Sequence, residues 1–333
     1  MSMSVDSAFS EFMKNTVNLD SEVVKSARQS RDNLLNNIAE FDNIDGFFDL
    51  YETFNLHFGS FARKTKCRDL DDIDLLIGIS ANSATYNQND VWNSVSMIAS
   101  SNNAAQIRCQ NNDGTLNSTL VLNRFKEKLQ CVREYNRSEI NRKGEAIVLN
   151  LKSKEWSFDI VPCFHTVKES DGRDYYLIPN GMGKWKKTEP KIEQNRITNL
   201  NKIFEGKVLS TIRLIKYWNK RAKMPTVASY ILETIILDFF DTIEDTSDYI
   251  DIRFRDALHF IKEHIFGNIS DSKLIEGNIN TLSLEDQIKI YLRAGSDYIK
   301  ACNAIDAETK DLDHRKSINI WREILGEDLP RYG

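Results

Sequence analysis

The chain has 333 residues, of which 41% are hydrophobic and 28% are charged, and its net charge is −5 at pH 7. This length and apolar content suffice for one large core or two smaller lobes, whereas the acidic balance disfavours binding of long duplex DNA, which requires many cationic contacts to phosphate. Five widely spaced cysteines without a CxxC pair disfavour a zinc ribbon and fit reduced thiols. The chain begins without a signal-peptide pattern, and no stretch of about 18 apolar residues predicts a membrane span. We therefore expect a folded cytoplasmic protein without membrane contact.

Apolar spacing predicts the secondary structure of the first half of the chain. Residues 21–41 repeat apolar side chains at helical spacing and predict one long amphipathic helix. From about residue 54 to residue 178, short β-prone runs alternate with helical patterns near residues 90–100 and 117–133, which predicts a mixed sheet with helices packed on it. The strands are expected in the runs NLHF, DLLIGI, AIVLNL, WSFDIV and YYLI.

After about residue 190 the apolar period returns to 3.6 residues and predicts an all-helical lobe. The segment NGMGKWKKTEPK, residues 180–191, is the expected hinge, and a cleft beside it is the expected ligand site. The predicted fold class is therefore α+β. Residues 1–188 are expected to form a core that includes the N-terminal helix, and residues 189–333 a helical lobe.

Carboxylates cluster in the run LDDIDLLIGI. Side chains alternate faces along a strand, so Asp72 and Asp74 share one face. Two such charges repel each other unless a cation lies between them, and hard oxygen ligands suit Mg²⁺ or Mn²⁺. Asp159 is the polar residue of the later strand WSFDIVP and is the expected third ligand. Three carboxylates on adjacent strands predict a site for two metal ions that catalyses in-line nucleotidyl transfer.

A Gly-Ser pair precedes these carboxylates. Gly59 and Ser60 follow an apolar strand and can grip a triphosphate through backbone N–H groups and the serine hydroxyl. Each signal alone is weak, because DxD is common in solvated turns. Eleven residues separate Ser60 from Asp72, and together with Asp159 this spacing predicts a catalytic site. The cations between them could help to bind nucleotides or could serve solubility; they are Arg63, Lys64, Lys66 and Arg68.

These motifs resemble the polymerase-β-like nucleotidyltransferases, and more narrowly the bacterial cGAS/DncV-like nucleotidyltransferases (CD-NTases), relatives of 2′-5′ oligoadenylate synthase. The paired aspartates are shared across the superfamily, whereas Lys216 with Ser229-Tyr230 narrows the resemblance. Leu325 and Leu329 stand where phenylalanine is frequent, a conservative departure. The resemblance covers most of the chain, through GSFARKT, LDDIDLLI, FDIVPCF, YYLIPNG, LIKYWNK, ASYILE and KSINIWREILGEDLP.

The resemblance implies roles for residues of the helical lobe. Lys216 and Ser229 would contact the triphosphate, and Tyr230 would stack on the donor base. A lysine suits phosphate as a point charge, and stacking on an aromatic side chain contributes about 1 to 3 kcal/mol per base. The alternatives are that Lys216 is a solvated helix residue and that Tyr230 packs in the core. Asn180 is a candidate reader of the acceptor base.

The resemblance also implies a product. Nucleoside triphosphates, ATP among them, would be joined into a cyclic di- or trinucleotide that activates an effector in CBASS anti-phage defence. Two alternatives stay open: template-independent addition of nucleotides to an RNA or protein acceptor, and a non-catalytic nucleotide-binding regulator. The acidic composition disfavours the basic groove that the first would need, and retention of all three aspartates argues against the second.

Overall fold

The computed structural model describes residues 3–221 and 224–333. Within these ranges, no helix is both long enough and apolar enough to span a bilayer. The chain packs as two compact units, which we call the sheet unit and the helical unit. The sheet unit comprises Glu22–Ala62 and Leu70–Lys191, and the helical unit comprises the described parts of Met1–Ser21, Arg63–Asp69 and Ile192–Gly333.

The first helix, α1 (Val5–Phe12), belongs to the helical unit and not to the sheet unit. The ring of Phe9 meets that of Trp321 edge-on with centroids 5.1 Å apart, and Phe12 meets Tyr217 in the same way at 5.0 Å. Residues 1–188 were expected to share one domain, so the structure differs in the placement of the N-terminal segment. The reason is that the apolar face of α1 is buried against C-terminal helices. The division into domains near residue 188 stays a prediction.

A mixed sheet forms the centre of the sheet unit. Its strand order is β1-β2-β7-β6-β5, and β8 pairs with the end of β7 and with β9. β2 and β7 are parallel, and the other pairs in this sheet are antiparallel. A separate ribbon pairs β3 with β4. The strands are β1 (Leu56–Phe58), β2 (Asp72–Gly78), β3 (Thr85–Tyr86), β4 (Met97–Ile98), β5 (Glu139–Lys143), β6 (Ala146–Asn150), β7 (Ser157–His165), β8 (Tyr176–Pro179) and β9 (Trp185–Thr188).

Helices accompany this sheet. The predicted long N-terminal helix is confirmed as α2 (Ser21–Ala39), and α3 (Gly59–Ala62) and α4 (Ala104–Ile107) are single turns. α5 (Ser118–Gln130) is capped by Asn117, whose side-chain oxygen accepts from two backbone N–H groups of the first turn. α5 packs against β5 to β8, so one face of the sheet is buried beneath it. Burying an aromatic side chain such as Phe125, which is 0% exposed, contributes about 1.5 to 3 kcal/mol.

The helix predicted at residues 90–100 is wrong. This segment forms turns that lead into β4, and the backbone of Val95 bridges that of Trp185. The carboxylate of Asp90 accepts from the backbone N–H of Ser96 at 2.8 Å and so stabilises a turn. Local hydrogen bonds of an aspartate compete with helix formation, and pairing with the buried Trp185 strand decides the outcome.

The segment expected to be a hinge belongs to the sheet unit. Residues Trp185–Thr188 form β9, and Trp185 is fully buried with its ring N–H donated to the carbonyl of Leu116 at 2.9 Å. The chain leaves the sheet unit between Lys191 and Ile192, within the first turn of helix α6 (Pro190–Ile203). Pro190 is the first residue of that helix, a position where its missing N–H costs nothing.

The helical unit contains the predicted helices of the C-terminal lobe. α8 is apolar on most of its surface and lies in the core, while the buried Trp218 of α7 and Trp321 of α11 fill the space between neighbouring helices. Ser283 and Asp313 cap α10 and α11 through their side-chain oxygens. The helices are α6 (Pro190–Ile203), α7 (Lys207–Asn219), α8 (Ser229–Asp241), α9 (Ile250–His264), α10 (Leu284–Thr309) and α11 (His314–Leu325).

Candidate active site

Three aspartates lie on one face of the sheet unit, at the parallel pair β2 and β7. The register makes Asp74 the direct partner of Asp159, and Asp72 the partner of Ser157. Directly opposed residues of adjacent strands point to the same side, as do residues two apart in one strand. Asp72, Asp74 and Asp159 therefore share one face, and each is partly exposed. Their metal-binding and catalytic roles stay predictions.

Buried apolar side chains cover part of this face. Leu76, Val161, Tyr176 and Ile178 belong to a small buried cluster on the same side as the aspartates. His165, at the far end of β7, stacks on Phe54 with ring centroids 4.1 Å apart, and burial lowers the pKa of its imidazole. The aspartates therefore lie at a partly exposed end of this face.

Gly59 allows the turn after β1 to lie against Asp74. Its φ is +72°, a left-handed conformation that favours glycine. A Cβ atom added at Gly59 would lie 1.7 Å from Oδ2 of Asp74, so any other residue would displace that carboxylate. Ser60 follows in the first turn of α3 and is partly exposed. The Gly-Ser turn and the carboxylate face are therefore adjacent.

The donor chemistry of this face fits a hard divalent cation. Carboxylate oxygens are the ligands that Mg²⁺ and Mn²⁺ prefer, and like charges on neighbouring strands favour a bound cation. Among residues 3–221 and 224–333, no three or more His, Cys, Asp or Glu side chains are already closed into a group that could hold a metal ion. The aspartates share a face, with Asp74 directly opposite Asp159, and their role as metal ligands stays a prediction.

Lys216 is buried in the helical unit. Its side chain is 5% exposed, and its ammonium pairs with Glu233 and lies 3.4 Å from the hydroxyl of Thr65. The alternative that Lys216 is a solvated helix residue is therefore wrong. Burial lowers the pKa of Lys216, and the carboxylate of Glu233 opposes that shift. Its contact with a triphosphate stays a prediction.

Arg63 shares the same carboxylate. Its Nε donates to Glu233 at 2.8 Å and its Nη1 to Glu193 at 3.1 Å, and its side chain is 8% exposed. A role in surface solubility is thereby excluded for this residue. Burial alone would raise the pKa of Glu233, but the Arg63 guanidinium and the Lys216 ammonium hold that pKa below its usual value.

Tyr230, in the first turn of α8, joins this network. Its hydroxyl donates to Asp271 at 2.5 Å, and burial raises the pKa of the phenol. The ammonium of Lys273 lies 4.3 Å from the ring centroid and 3.1 Å from a carboxylate oxygen of Glu193. We call the charged side chains of this network the ionic cluster; its cations are Arg63, Lys216 and Lys273, and its anions are Glu193, Glu233 and Asp271.

Sequence reasoning missed the acidic half of this cluster. Glu233 lies within the ASYILE motif, whose spacing from Tyr230 could have indicated it, but nothing in the sequence marks Glu193 or Asp271. Ser229 is exposed and is the first residue of α8. Stacking of a base on Tyr230 and phosphate binding by Ser229 stay predictions.

Asn180 organises the turn between β8 and β9. Its side-chain oxygen accepts from the backbone N–H groups of Met182 at 2.9 Å and Lys184 at 3.1 Å, and its amide donates to the carbonyl of Asn93 at 3.2 Å. The geometry gives this asparagine a structural role in the turn. These contacts do not support its predicted role as a reader of the acceptor base, and that role stays a prediction.

The fold is that of a polymerase-β-like nucleotidyltransferase. Among solved structures, CdnC of Escherichia coli MS115-1 with ATP matches with a TM-score of 0.66 and 16% identity, covering 97% of this chain and 98% of that chain. DncV of Vibrio cholerae, a cyclic AMP-GMP synthase and prokaryotic cGAS homolog, matches with a TM-score of 0.59 and 11% identity over 84% of this chain and 70% of that chain. These likenesses establish the polymerase-β-like nucleotidyltransferase fold.

Sequence comparison identifies the family of the chain, whereas the structural likeness shows only the fold. No protein-family model matches the chain. A probable cyclic nucleotide synthase from Bacillus cereus (strain VD146) is 36% identical over 335 residues, which cover 100% of this chain and 99% of that protein. The chain therefore belongs to the cyclic nucleotide synthases, the bacterial cGAS/DncV-like nucleotidyltransferases, and is an enzyme.

Proposed function

We propose that this enzyme joins nucleoside triphosphates, ATP among them, into a cyclic di- or trinucleotide and releases pyrophosphate. One observation carries the proposal: the parallel register opposes Asp74 to Asp159 and places Asp72 on the same face, beside the Gly59 turn. The full-length similarity to a probable cyclic nucleotide synthase supports the cyclic product.

In this proposal Asp72, Asp74 and Asp159 hold two divalent cations, Mg²⁺ or Mn²⁺. Bound there, the cations would supply positive charge to the triphosphate and acidify the attacking hydroxyl. The chain itself orients the donor, because backbone N–H groups of the Gly59-Ser60 turn and the Ser60 hydroxyl can donate to phosphate oxygens. Gly59 brings that turn close enough to Asp74 for one triphosphate to meet both.

The reaction forms one bond and breaks another. The oxygen of an acceptor ribose hydroxyl bonds to the α-phosphorus of the donor, and the bond from that phosphorus to its leaving oxygen breaks in line. Pyrophosphate departs with the electron pair, and the hydroxyl proton is lost. Repetition on the linear product, with its own terminal hydroxyl as acceptor, closes the ring and releases a second or third pyrophosphate.

In this proposal Lys216 and Ser229 bind the triphosphate and Tyr230 stacks on the donor base. Within the described residues, Lys216 donates to Glu233 and Thr65, and the third N–H of its ammonium is the one proposed to donate to a phosphate oxygen. Asn180 is the proposed reader of the acceptor base, acting from the β8–β9 turn.

The product is proposed to act as a second messenger in the cytosol. It would leave the enzyme and activate an effector protein in CBASS anti-phage defence. The acidic net charge of −5 supports activation by a signal other than long duplex DNA, whose binding requires a broad basic surface.

A single assay tests the reaction. The purified enzyme is incubated with all four ribonucleoside triphosphates and Mg²⁺ or Mn²⁺, treated with phosphatase, and analysed by mass spectrometry. We expect a phosphatase-resistant cyclic nucleotide, which is absent when EDTA is added and absent from the Asp74→Asn variant. Nucleotides attached only to added RNA or protein would indicate the acceptor-modifying alternative. Triphosphates that bind without turnover would indicate the regulator.

A further inference from the structure

A basic pocket lies at the C-terminal end of the helical unit, and the proposed reaction does not use it. The pocket is open to solvent and has a volume of about 550 Å³, within the range of about 300 to 1,000 Å³ typical of small-molecule sites. It shares no residue with the carboxylate face or the ionic cluster. Its lining consists of Arg315, Asn319, Arg322, Arg331 and Tyr332.

Two short segments build this pocket. Arg315, Asn319 and Arg322 are spaced i, i+4 and i+7 along α11, so they share one face of that helix. The opposite face of α11 is buried in the core of the helical unit through residues such as Trp321. Arg331 and Tyr332 come from the tail that follows the helix. The helix face and the tail form the two walls of the pocket.

The tail is held in place against the helix. Leu329 is 0% exposed and packs in the core of the helical unit. The guanidinium of Arg322 donates to the carbonyl of Glu327 at 2.8 Å and to that of Leu329. These contacts position Arg331 and Tyr332 opposite α11, so the pocket is a built feature of the fold.

The pocket carries uncompensated positive charge. Within residues 3–221 and 224–333, the side chains of Arg315 and Asn319 make no hydrogen bond or ion pair. The nearest carboxylate to Arg331 is that of Glu327, at 3.8 Å, and both side chains are more than three-quarters exposed, so this pair is weak. Asp328 is engaged elsewhere, because it accepts from the hydroxyl of Tyr217 at 2.9 Å.

The lining also contains a surface for an aromatic ring. Tyr332 is partly buried, and the guanidinium carbon of Arg315 lies 5.9 Å from its ring centroid. Planar guanidinium groups and phenol rings stack on heteroaromatic bases, and arginine forks bind phosphate oxygens in pairs. The free amide of Asn319 offers both a donor and an acceptor to a base edge. We propose that this pocket binds a nucleotide, with its phosphates on the arginines and its base on Tyr332.

This proposal makes a prediction that differs from that for the catalytic site. The proposed catalytic site binds triphosphate through divalent cations, whereas a pocket of arginines needs no metal ion. ADP, which lacks the γ-phosphate, is therefore titrated into the full-length protein in EDTA at low salt by isothermal calorimetry. We expect binding of one ADP per chain, weakened as salt rises from 50 to 200 mM. No binding of ADP in EDTA would overturn the proposal.

Variants assign the binding to the pocket. Arg315→Glu and Arg331→Glu reverse two exposed charges without touching the core, and each is expected to weaken ADP binding at least about tenfold. Lys316→Glu is the matched control, because Lys316 is exposed on the same helix, pairs with Asp311 and lies outside the pocket. Its affinity for ADP should stay within about twofold of the unaltered protein. Equal affinity in the arginine variants, or equal loss in the control, contradicts the proposal.

Pyrophosphate separates a nucleotide pocket from a simple anion site. It carries the phosphates of ADP without the base, so we expect it to bind at least about fivefold more weakly, as the loss of one stacked base implies. Tyr332→Ala should lower the affinity for ADP to that for pyrophosphate and leave pyrophosphate binding unchanged. If ADP and pyrophosphate bind the unaltered protein equally, the assignment to nucleotides is wrong. The cyclic-product assay is independent of all these measurements.

Discussion

The carboxylate face and the ionic cluster both bring charged side chains together, but they differ in burial and in balance. The aspartates of β2 and β7 are partly exposed and all of one sign. The side chains of the ionic cluster pair cations with anions, and Glu233 at its centre is 1% exposed. Like charges at the surface of a protein favour a ligand of opposite charge, whereas buried opposite charges satisfy each other.

This difference predicts that removing one carboxylate charge affects stability differently at the two sites. In the ionic cluster, the loss removes the counter-charge that Arg63 and Lys216 share and should lower the free energy of unfolding. On the carboxylate face, the side chains are partly exposed, so the same change should lower stability less while it abolishes catalysis. Three substitutions, in decreasing order of expected effect, test whether the two sites differ in this way.

Glu233→Gln should have the largest effect on stability. The substitution keeps the shape of the side chain but leaves Arg63 and Lys216 without their shared counter-charge. Breaking a buried ion pair on one side costs about 3 to 5 kcal/mol, which urea denaturation would measure as a lower free energy of unfolding. Glu263→Gln is the control, since Glu263 pairs with Lys262 at the surface, and its loss should cost less than about 1 kcal/mol. Equal effects of the two substitutions would contradict the distinction.

The pH dependence of the same variant provides a second measurement. Burial raises the pKa of Glu233, but Arg63 and Lys216 outweigh that effect and hold the pKa below its ordinary value of 4.5. A depressed pKa contributes stability that is present above the ordinary value and is lost as pH falls through the folded-state pKa. The difference in unfolding free energy between the unaltered protein and Glu233→Gln should therefore be constant near neutral pH and shrink below pH 4.5. A difference that grows on acidification would have the wrong sign.

Asp74→Asn should have the largest effect on activity. Asp74 stands between Asp159 on β7 and the Gly59 turn, so its charge contributes to any cation site on this face. We expect product formation to fall at least about hundredfold, because a divalent cation contributes several kcal/mol to transition-state stabilisation. The free energy of unfolding should fall by less than it does in Glu233→Gln, because Asp74 is partly exposed. Asp71→Asn is the matched control from the same run, since Asp71 is exposed and lies just before β2. Similar losses in both variants would count against the assignment.

Gly59→Ala should have a smaller effect on activity through the same carboxylate. The new Cβ atom would clash with Oδ2 of Asp74 and force it aside, and misplacement by about 1 Å can cost up to a hundredfold in rate. Gly144→Ala is the control, because Gly144 also has a positive φ, +56°, but has no atom within 4 Å of its added Cβ. Both variants should lose about 1 to 2 kcal/mol of stability from backbone strain, and only Gly59→Ala should lose activity. Retained activity in Gly59→Ala would show that the carboxylate can shift without consequence.

The local pattern of the sequence was a good guide wherever a single element decided the outcome. The helix predicted at residues 21–41 and the strands around Asp74 and Asp159 follow from apolar periods of 3.6 and 2, which depend only on near neighbours. The shared face of Asp72 and Asp74 is a property of one strand and needs no tertiary information. The helix predicted at residues 90–100 failed because pairing with the distant Trp185 outweighed local pattern.

The sequence alone therefore determined the order of the elements, the paired aspartates with their glycine turn, and the resemblance to the enzyme family. Only the tertiary structure decided that Asp159 would stand opposite Asp74, that α1 would pack on the C-terminal helices, and that Glu233 would gather Arg63 and Lys216. Register and burial are properties of segments far apart in the chain, and each is selected by the free energy of packing the whole unit. The apolar pattern of a short stretch of sequence therefore cannot predict register or burial between distant segments.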